Sequence, residues 1–502
     1  MFWLGWQRRK IRRMHIRIIA AASLAASLAG PAWADAERPV LKPCRLQGVD
    51  HDAGCARLRR PLDPTQPQGV QIDVHFAVLA ALARNKKPDP VFFFAGGPGQ
   101  SAMSLAGSAS RLLARLLNRR DVVLIDQRGT GRTAPLVCDE DRPTQPLAQM
   151  ADPQRQLART QACRLKLQAL PHGDLRQYTT VIAMQDADAV RQALGAAQIN
   201  LVGGSYGTRA ALDYMRQFPQ AVRRVVVDGV APPDMVLPVA FSTDGQASWD
   251  ALLLACEANK TCSTRYPRMR ADWRTLLASL PREVSVLHPV MGTPEKLQLT
   301  RPMLLGMLRL PLYVPALAAA LPLAVAEAAQ GRFEPLVGLS SALMTGRAGA
   351  LAGGMHYSVI CAEDLPRMTA GGGSEQPSAD FGNEAANQYR QVCADWPRGS
   401  VPAAFYTLPP APAATLVLSG GVDPVTPPRH GERVAQALGA KARHVVVPEA
   451  GHGVMAIGCM RDTLFRFIDA ATDDDALKVD ADCAKAIPRP TVFVPVTAGA
   501  RP

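Results

Sequence analysis

The sequence predicts an α/β protein: a mostly parallel sheet with helices on both faces, split by a helical insertion. Three observations carry this. Short apolar runs that read as strands alternate with amphipathic helical stretches over residues 70–230, and the same rhythm returns over 415–470. Between roughly residues 235 and 405 the chain turns to Ala, Leu and Pro, in segments that read as helical rather than stranded. A length of 502 residues, 48% hydrophobic and 20% charged, suits one large domain with an insertion and a sizeable core. Gly and Pro together make about one residue in six, without a collagen period, so turns are frequent and a fibre or coiled coil is excluded. So is a disordered chain, which carries far fewer apolar residues.

Residues 1–34 hold six basic side chains and no acid, then an apolar stretch from Ile18 to Ala29, and Ala32-Trp33-Ala34 as a small-x-small cleavage site. This reads as a signal peptide, which predicts an exported protein, periplasmic or secreted, without a stable membrane anchor after cleavage. The apolar stretch is short for a transmembrane helix. The formal charge of +13 shrinks once the leader is set aside, leaving 50 basic and 43 acidic groups mixed along the chain. No dense basic run remains, so nucleic acid is not an expected partner. All ten cysteines follow the leader, and in an exported chain an even number favours disulfides. Nearest-neighbour pairing gives Cys44/Cys55, Cys138/Cys163, Cys256/Cys262, Cys361/Cys393 and Cys459/Cys483, one of many possible connectivities. There is no C-x-x-C and no H-E-x-x-H, so no metal or other cofactor is expected.

After a Pro-rich lead-in (39–69), Val70–Leu79 and Val91–Ala95 read as strands, Ser104–Leu117 as an amphipathic helix, and Val122–Asp126 as a strand. A helix follows over Thr179–Leu194, capped by Thr179 or Thr180 and stopped by Gly195. Ile199–Val202 is a buried strand, Tyr206 to about Phe218 a helix, and Val225–Val227 a strand. In the insertion, Pro311, Pro315 and Pro322 interrupt the uncharged run Leu310–Ala326, which predicts short packed helices rather than a membrane span. Gly371–Gly373 with Ser374 reads as a flexible loop. Thr415–Leu418 (strand), Arg429–Leu438 (helix), His444–Val447 (strand) and Leu464–Ala470 (helix) complete the order. The division expected is 1–34 leader, 35–234 first core part, 235–405 helical cap, and 406–502 second core part.

Gly203-Gly204-Ser205-Tyr206-Gly207 stands directly after a strand and before a helix. That is the nucleophile-elbow pattern in its confirming context: small flanking residues let a strained turn lift the serine above the strand ends. A serine hydroxyl needs a base, and on such a sheet the chain order is Ser, acid, His. His452, in Gly451-His452-Gly453 just past a late strand, is the candidate base, whereas His430 and His444 read as structural or surface histidines. Asp423, in Gly420-Gly421-Val422-Asp423-Pro424, is the candidate acid, with Asp228 after an earlier strand as its rival. Gly96-Gly97-Pro98-Gly99 follows a buried strand and completes neither a P-loop nor G-x-G-x-x-G. On this sheet it would supply an oxyanion-hole amide, Gly97 within one residue, beside that of Tyr206.

These segments resemble the proline iminopeptidase and tripeptidyl aminopeptidase family of α/β-hydrolases. Gly96–Gly99, Asp126-Gln127-Arg128-Gly129-Thr130-Gly131-Arg132, Gly203–Thr208, Asp423 and Gly451–Gly453 match its motifs in order, across most of residues 40–470. Ala95 departs from the His that many iminopeptidases carry there. The disulfides and long insertion are more like the secreted tripeptidyl aminopeptidase branch. The resemblance implies the α/β-hydrolase fold, peptide substrates, and an acidic cap residue gripping the substrate ammonium. Glu363, in Cys361-Ala362-Glu363-Asp364, is the candidate for that grip, while Asp126 and Arg128 hold the loop wall. The function expected is a serine exopeptidase acting at free amino-termini; alternatives are a carboxylesterase or related ester hydrolase on the same fold and, less in keeping with an intact Ser-Asp-His set, a non-catalytic binding protein.

Overall fold

A computed structural model describes residues 39–139, 141–342, 350–369 and 378–495. The leader and the Gly371–Gly373 loop lie outside the described residues.

Eleven strands occur among them: β1 (Lys42–Cys44), β2 (Ala53–Pro61), β3 (Gln71–Leu79), β4 (Val91–Phe94), β5 (Val122–Ile125), β6 (Ile199–Gly204), β7 (Val222–Asp228), β8 (Arg282–Leu287), β9 (Pro294–Leu299), β10 (Thr415–Gly420) and β11 (Ala442–Val447). Nine form one sheet in the order β1-β2-β3-β5-β4-β6-β7-β10-β11. The pairings β1–β2, β2–β3 and β3–β5 are antiparallel and all the others parallel. The parallel strands read as unbroken apolar runs because helices cover both faces. Alternate residues along them feed opposite layers. Phe92, Val123, Leu201 and Val225 pack with the helices Thr180–Ala193 and Tyr206–Gln217, while Val91, Leu124, Val202 and Val226 pack with Ala106–Leu112 and Met460–Asp469. The Thr179 hydroxyl caps its helix at Ile182 N, and Gly195 takes φ 71°, which ends it.

Two expectations need correction. The lead-in holds β1 and β2, whose antiparallel pairing is stapled by Cys44–Cys55. The insertion is not purely helical, since β8 and β9 form an antiparallel hairpin on its surface. Their period-two burial follows Val284, Val286, Leu297 and Leu299, an alternation legible in Glu283–Leu287 but masked by the helical character around it. The cap has its own core around Trp249, Trp273, Leu304 and Phe333. Residues 350–369 and Glu384–Trp396 rejoin the main core through Met355, Val359, Cys361, Leu365, Cys393 and Trp396. Pro311, Pro315 and Pro322 do break their run, into Arg301–Leu312, Pro315–Ala318 and Leu321–Ala329. No described helix is long and apolar enough to cross a membrane.

All five nearest-neighbour disulfides are present, and each joins segments close along the chain. Besides Cys44–Cys55, Cys138–Cys163 fastens the segment after the Asp126–Arg132 loop to the helix Pro153–Gln168. Cys256–Cys262 closes the corner between the helices Leu237–Ala258 and Lys260–Arg265. Cys361–Cys393 ties residues 350–369 to the helix Glu384–Asp395. Cys459–Cys483 pins the start of the helix Met460–Asp469 to the last turn, Asp482–Ala486.

Candidate active site

Ser205, Asp423 and His452 follow the carboxyl ends of β6, β10 and β11, where open parallel sheets carry their ligand sites. Ser205 joins β6 to its helix at φ 54° and ψ −126°, a strained conformation for a residue with a Cβ. The flanking glycines are sterically required. A Cβ on Gly203 would stand 2.3 Å from Gly207 O, and one on Gly207 would stand 2.1 Å from Phe94 O. The elbow is therefore wedged against β4, the strand that leads into the Gly96–Gly99 turn. That turn faces the serine, since a Cβ on Gly96 would lie 3.2 Å from Ser205 Cβ. Gly97 sits one residue further, at φ 111°, and Tyr206 N opens the elbow helix, where an amide has no acceptor within the helix.

His452 Nδ1 donates to Asp423 Oδ2 at 2.8 Å, which fixes the tautomer and leaves Nε2 as the basic nitrogen. Asp423 is fully buried and held by Val425 N (2.8 Å), Thr426 N (3.0 Å) and Thr426 Oγ1 (2.8 Å). Burial opposes its ionisation, but the His452 charge and these hydrogen bonds outweigh burial and hold the carboxyl below the usual range. Burial likewise opposes a charged His452, and Asp423, with a contribution from Asp228, outweighs it and lifts the imidazole above its ordinary value. Among the described residues the Ser205 hydroxyl makes no hydrogen bond to His452.

Asp228, the rival acid, has a different position. Its carbonyl accepts from Ser205 N (2.9 Å), and its Oδ2 accepts from Val454 N (2.7 Å) and Met455 N (2.8 Å), just past His452. It ties the serine turn to the histidine loop without bonding the imidazole. Oδ1 is buried without a partner, and burial pushes the carboxyl up to about 6.

Glu363 requires a correction. Its side chain has no exposed surface, so it cannot meet a substrate ammonium. Oε1 accepts from Thr180 N at 2.7 Å, and Oε2 takes Thr180 Oγ1 at 3.0 Å and Arg209 Nη1 at 3.2 Å. Arg209, on the elbow helix, also pairs with Asp364 at 3.0 Å, so two carboxylates share one guanidinium. Burial above all pushes Glu363 up to about 7. Asp126 and Arg128 brace the loops beside the site. Asp126 accepts from Ser101 Oγ, Met103 N and Arg132 N, while Arg128 pairs with Asp186 at 2.8 Å. The cysteines staple the scaffold and supply no group to the site. Cys163 and Cys483, on the helix Pro153–Gln168 and the turn Asp482–Ala486, enter none of the hydrogen bonds that hold Asp423 and His452.

No sequence motif announces the cap's hold on the candidate base, His452. His452 N donates to Tyr313 O at 2.9 Å, and the two rings meet edge to face with centroids 5.2 Å apart. Tyr313 lies in the Pro-rich run, with no motif to single it out. His356 was also missed: its Nδ1 donates to Pro98 O (3.0 Å) in the glycine turn, and its Nε2 accepts from Tyr389 OH (2.8 Å). A cavity of about 150 Å³ between the cap and Arg489–Val492 reaches Val422 but contains none of the three candidate residues.

The sheet order, the elbow and the ends of β10 and β11 define the α/β-hydrolase fold. The family described as alpha/beta hydrolase fold matches residues 89–281, and the one described as TAP-like protein matches residues 377–483. The chain belongs to the α/β-hydrolases, in the family that includes tripeptidyl aminopeptidases and proline iminopeptidases. It is similar to the tripeptidyl aminopeptidase of Streptomyces coelicolor, 32% identical over 231 residues, 43% of this chain and 40% of that protein. It is 30% identical to the serine protease Hip1 of Mycobacterium tuberculosis over 209 residues, 38% of this chain and 39% of that one. The proline iminopeptidase of Neisseria meningitidis serogroup B is 28% identical over 142 residues, 28% and 32% of the two chains. The matched region thus spans about two fifths of the first two relatives and a third of the last.

Proposed function

We propose that the protein is an exported serine hydrolase, an exopeptidase that releases residues or short peptides from free amino-termini through Ser205, His452 and Asp423. The observation that carries this reading is the Asp423–His452 hydrogen bond, at the strand ends that also hold the strained Ser205 elbow. In this reading His452 Nε2 takes the Ser205 proton as Oγ attacks the carbonyl, and Asp423 stabilises the imidazolium. The amides of Tyr206 and the Gly96–Gly99 turn, Gly97 first, stabilise the oxyanion, and His452 then returns the proton to the leaving amine. Water repeats the cycle on the acyl-enzyme. The names of the relatives support peptide substrates. Five disulfides support an oxidising compartment outside the cytoplasm. Burial of Glu363 leaves the ammonium without its expected partner, and that observation supports an ester hydrolase as the second reading. A panel of free and acetylated peptide amides plus simple esters tests both. At least tenfold higher kcat/KM on free-amino peptides supports the exopeptidase; equal rates on both peptides with faster ester cleavage support the esterase.

A further inference from the structure

Arg309 stands on the cap helix Arg301–Leu312, four residues before Tyr313 and so about one turn away on the same face. Tyr313 is the residue that packs on His452 and takes its amide hydrogen bond. The Arg309 guanidinium carbon lies 4.5 Å from the centre of the Phe241 ring, a contact that steers the side chain without neutralising it. Among the described residues it has no hydrogen bond and no ion pair. The contrast within the molecule is sharp: the buried Arg120, Arg128, Arg209 and Arg224 each have a carboxylate partner. Phe241 and Tyr389 both pack against one small apolar cluster, Ala231, Met235, Leu237, Ala240 and Ile360, so the ring that holds Arg309 shares its surroundings with Tyr389. Tyr389 leads on through His356 to Pro98 of the glycine turn. Arg309 thus lies on the helix that leads to Tyr313 and His452, and its ring partner Phe241 shares a cluster with Tyr389, which reaches the turn beside Ser205; among the described residues no carboxylate pairs with it.

We propose that Arg309 anchors a substrate carboxylate under the cap, so that preferred substrates carry a negative charge close to the scissile bond. This rests on the hydrolase reading above and names its substrate class. A guanidinium presents a planar fork that a carboxylate fills with two hydrogen bonds, and a half-buried site strengthens them. The carboxylate can belong to the carboxyl-terminus of a short peptide or to an acidic side chain.

The test uses three compounds with one scissile bond: a short peptide with a free carboxyl-terminus, its carboxyl-terminal amide, and that amide with Glu beside the bond. Each is made as peptide and as ester. The expected result is kcat/KM about tenfold or more higher for at least one carboxylate form over the plain amide, the preferred form identifying the source. Arg309→Met should bring that ratio close to one, and Arg309→Lys should restore part of it. Calorimetric binding of the same compounds to Ser205→Ala reads the same preference without turnover. A preference seen in binding and on esters, with peptide bonds left intact, upholds the anchor and refutes the exopeptidase. Equal binding and equal kcat/KM for all three compounds, or a preference that survives in Arg309→Met, overturns the anchor.

Discussion

Replacing Glu363 by Gln separates a structural carboxyl from a substrate anchor. Glu363 shares the Arg209 guanidinium with Asp364, and no water reaches any of the three side chains. Its pKa rises from an ordinary 4.5 to about 7, chiefly by burial. At about 1.4 kcal/mol per pH unit, that shift corresponds to about 3 kcal/mol. The folded state holds this proton more tightly than the unfolded chain. The contribution is therefore full below about pH 4.5 and is lost as pH rises through about 7. Gln keeps an acceptor for Thr180 N and stays neutral, while Asp364 still compensates Arg209. At pH 5 the variant should fall within about 1 kcal/mol of wild type, because both groups are then uncharged. By pH 8 wild type should have lost about 3 kcal/mol that the variant keeps. Denaturant midpoints across this range, with kcat/KM on free and acetylated peptides beside them, measure both effects. A parallel stability profile for the two proteins, with the free-amino preference lost in the variant, would refute this reasoning and return Glu363 to the substrate.

Ser205→Ala and His452→Ala should each lower turnover by several orders of magnitude, and the double variant by little more, since the members of a triad act as a unit. Retention of a tenth of wild-type turnover by Ser205→Ala would remove it as nucleophile. Asp423→Asn should cut kcat severely, whereas Asp228→Asn should mainly weaken the tie between the Ser205 turn and the Val454–Met455 loop, read as a lower melting temperature. The reverse pattern would exchange their roles. Intact mass of protein recovered from periplasm or medium should show loss of residues 1–34 and of ten hydrogens, whereas ten free thiols in the native protein would refute the export reading.

What was legible in the sequence followed local rules. The central strands are apolar enough to announce burial on both faces, and Gly203-Gly204-Ser205-Tyr206-Gly207 announces the elbow because steric exclusion at Gly203 and Gly207 leaves no other residue there. Chain order singled out Asp423 and His452 as the candidate acid and base, which the fold brings within hydrogen-bond distance, and proximity along the chain gave the cysteine pairs, Cys138–Cys163 and Cys459–Cys483 among them. What failed depended on contacts between distant segments. Glu363 looked available because a motif does not reveal that Arg209, 154 residues earlier, already holds it. Tyr313, Arg309 and His356 carry no local signature; each gains meaning only when the cap folds over the strand ends. The β8–β9 hairpin was the exception, a period-two pattern that could have been read and was lost among helical neighbours.

The main-chain bond from His452 N to Tyr313 O also bears on how such caps can be exchanged. It depends on the path of the backbone, so it tolerates change at either side chain but not a shift in where the chain runs. A chimaera that grafted another cap between β7 and β10 would have to reproduce that carbonyl beside Gly451, where even a Cβ would stand 2.4 Å from Tyr313 O. Cap replacement is then a problem of register before it is one of specificity. Side-chain libraries drawn on an intact Leu312–Pro315 segment would keep His452 in place, whereas insertions ahead of that segment would have to be absorbed before they reached it.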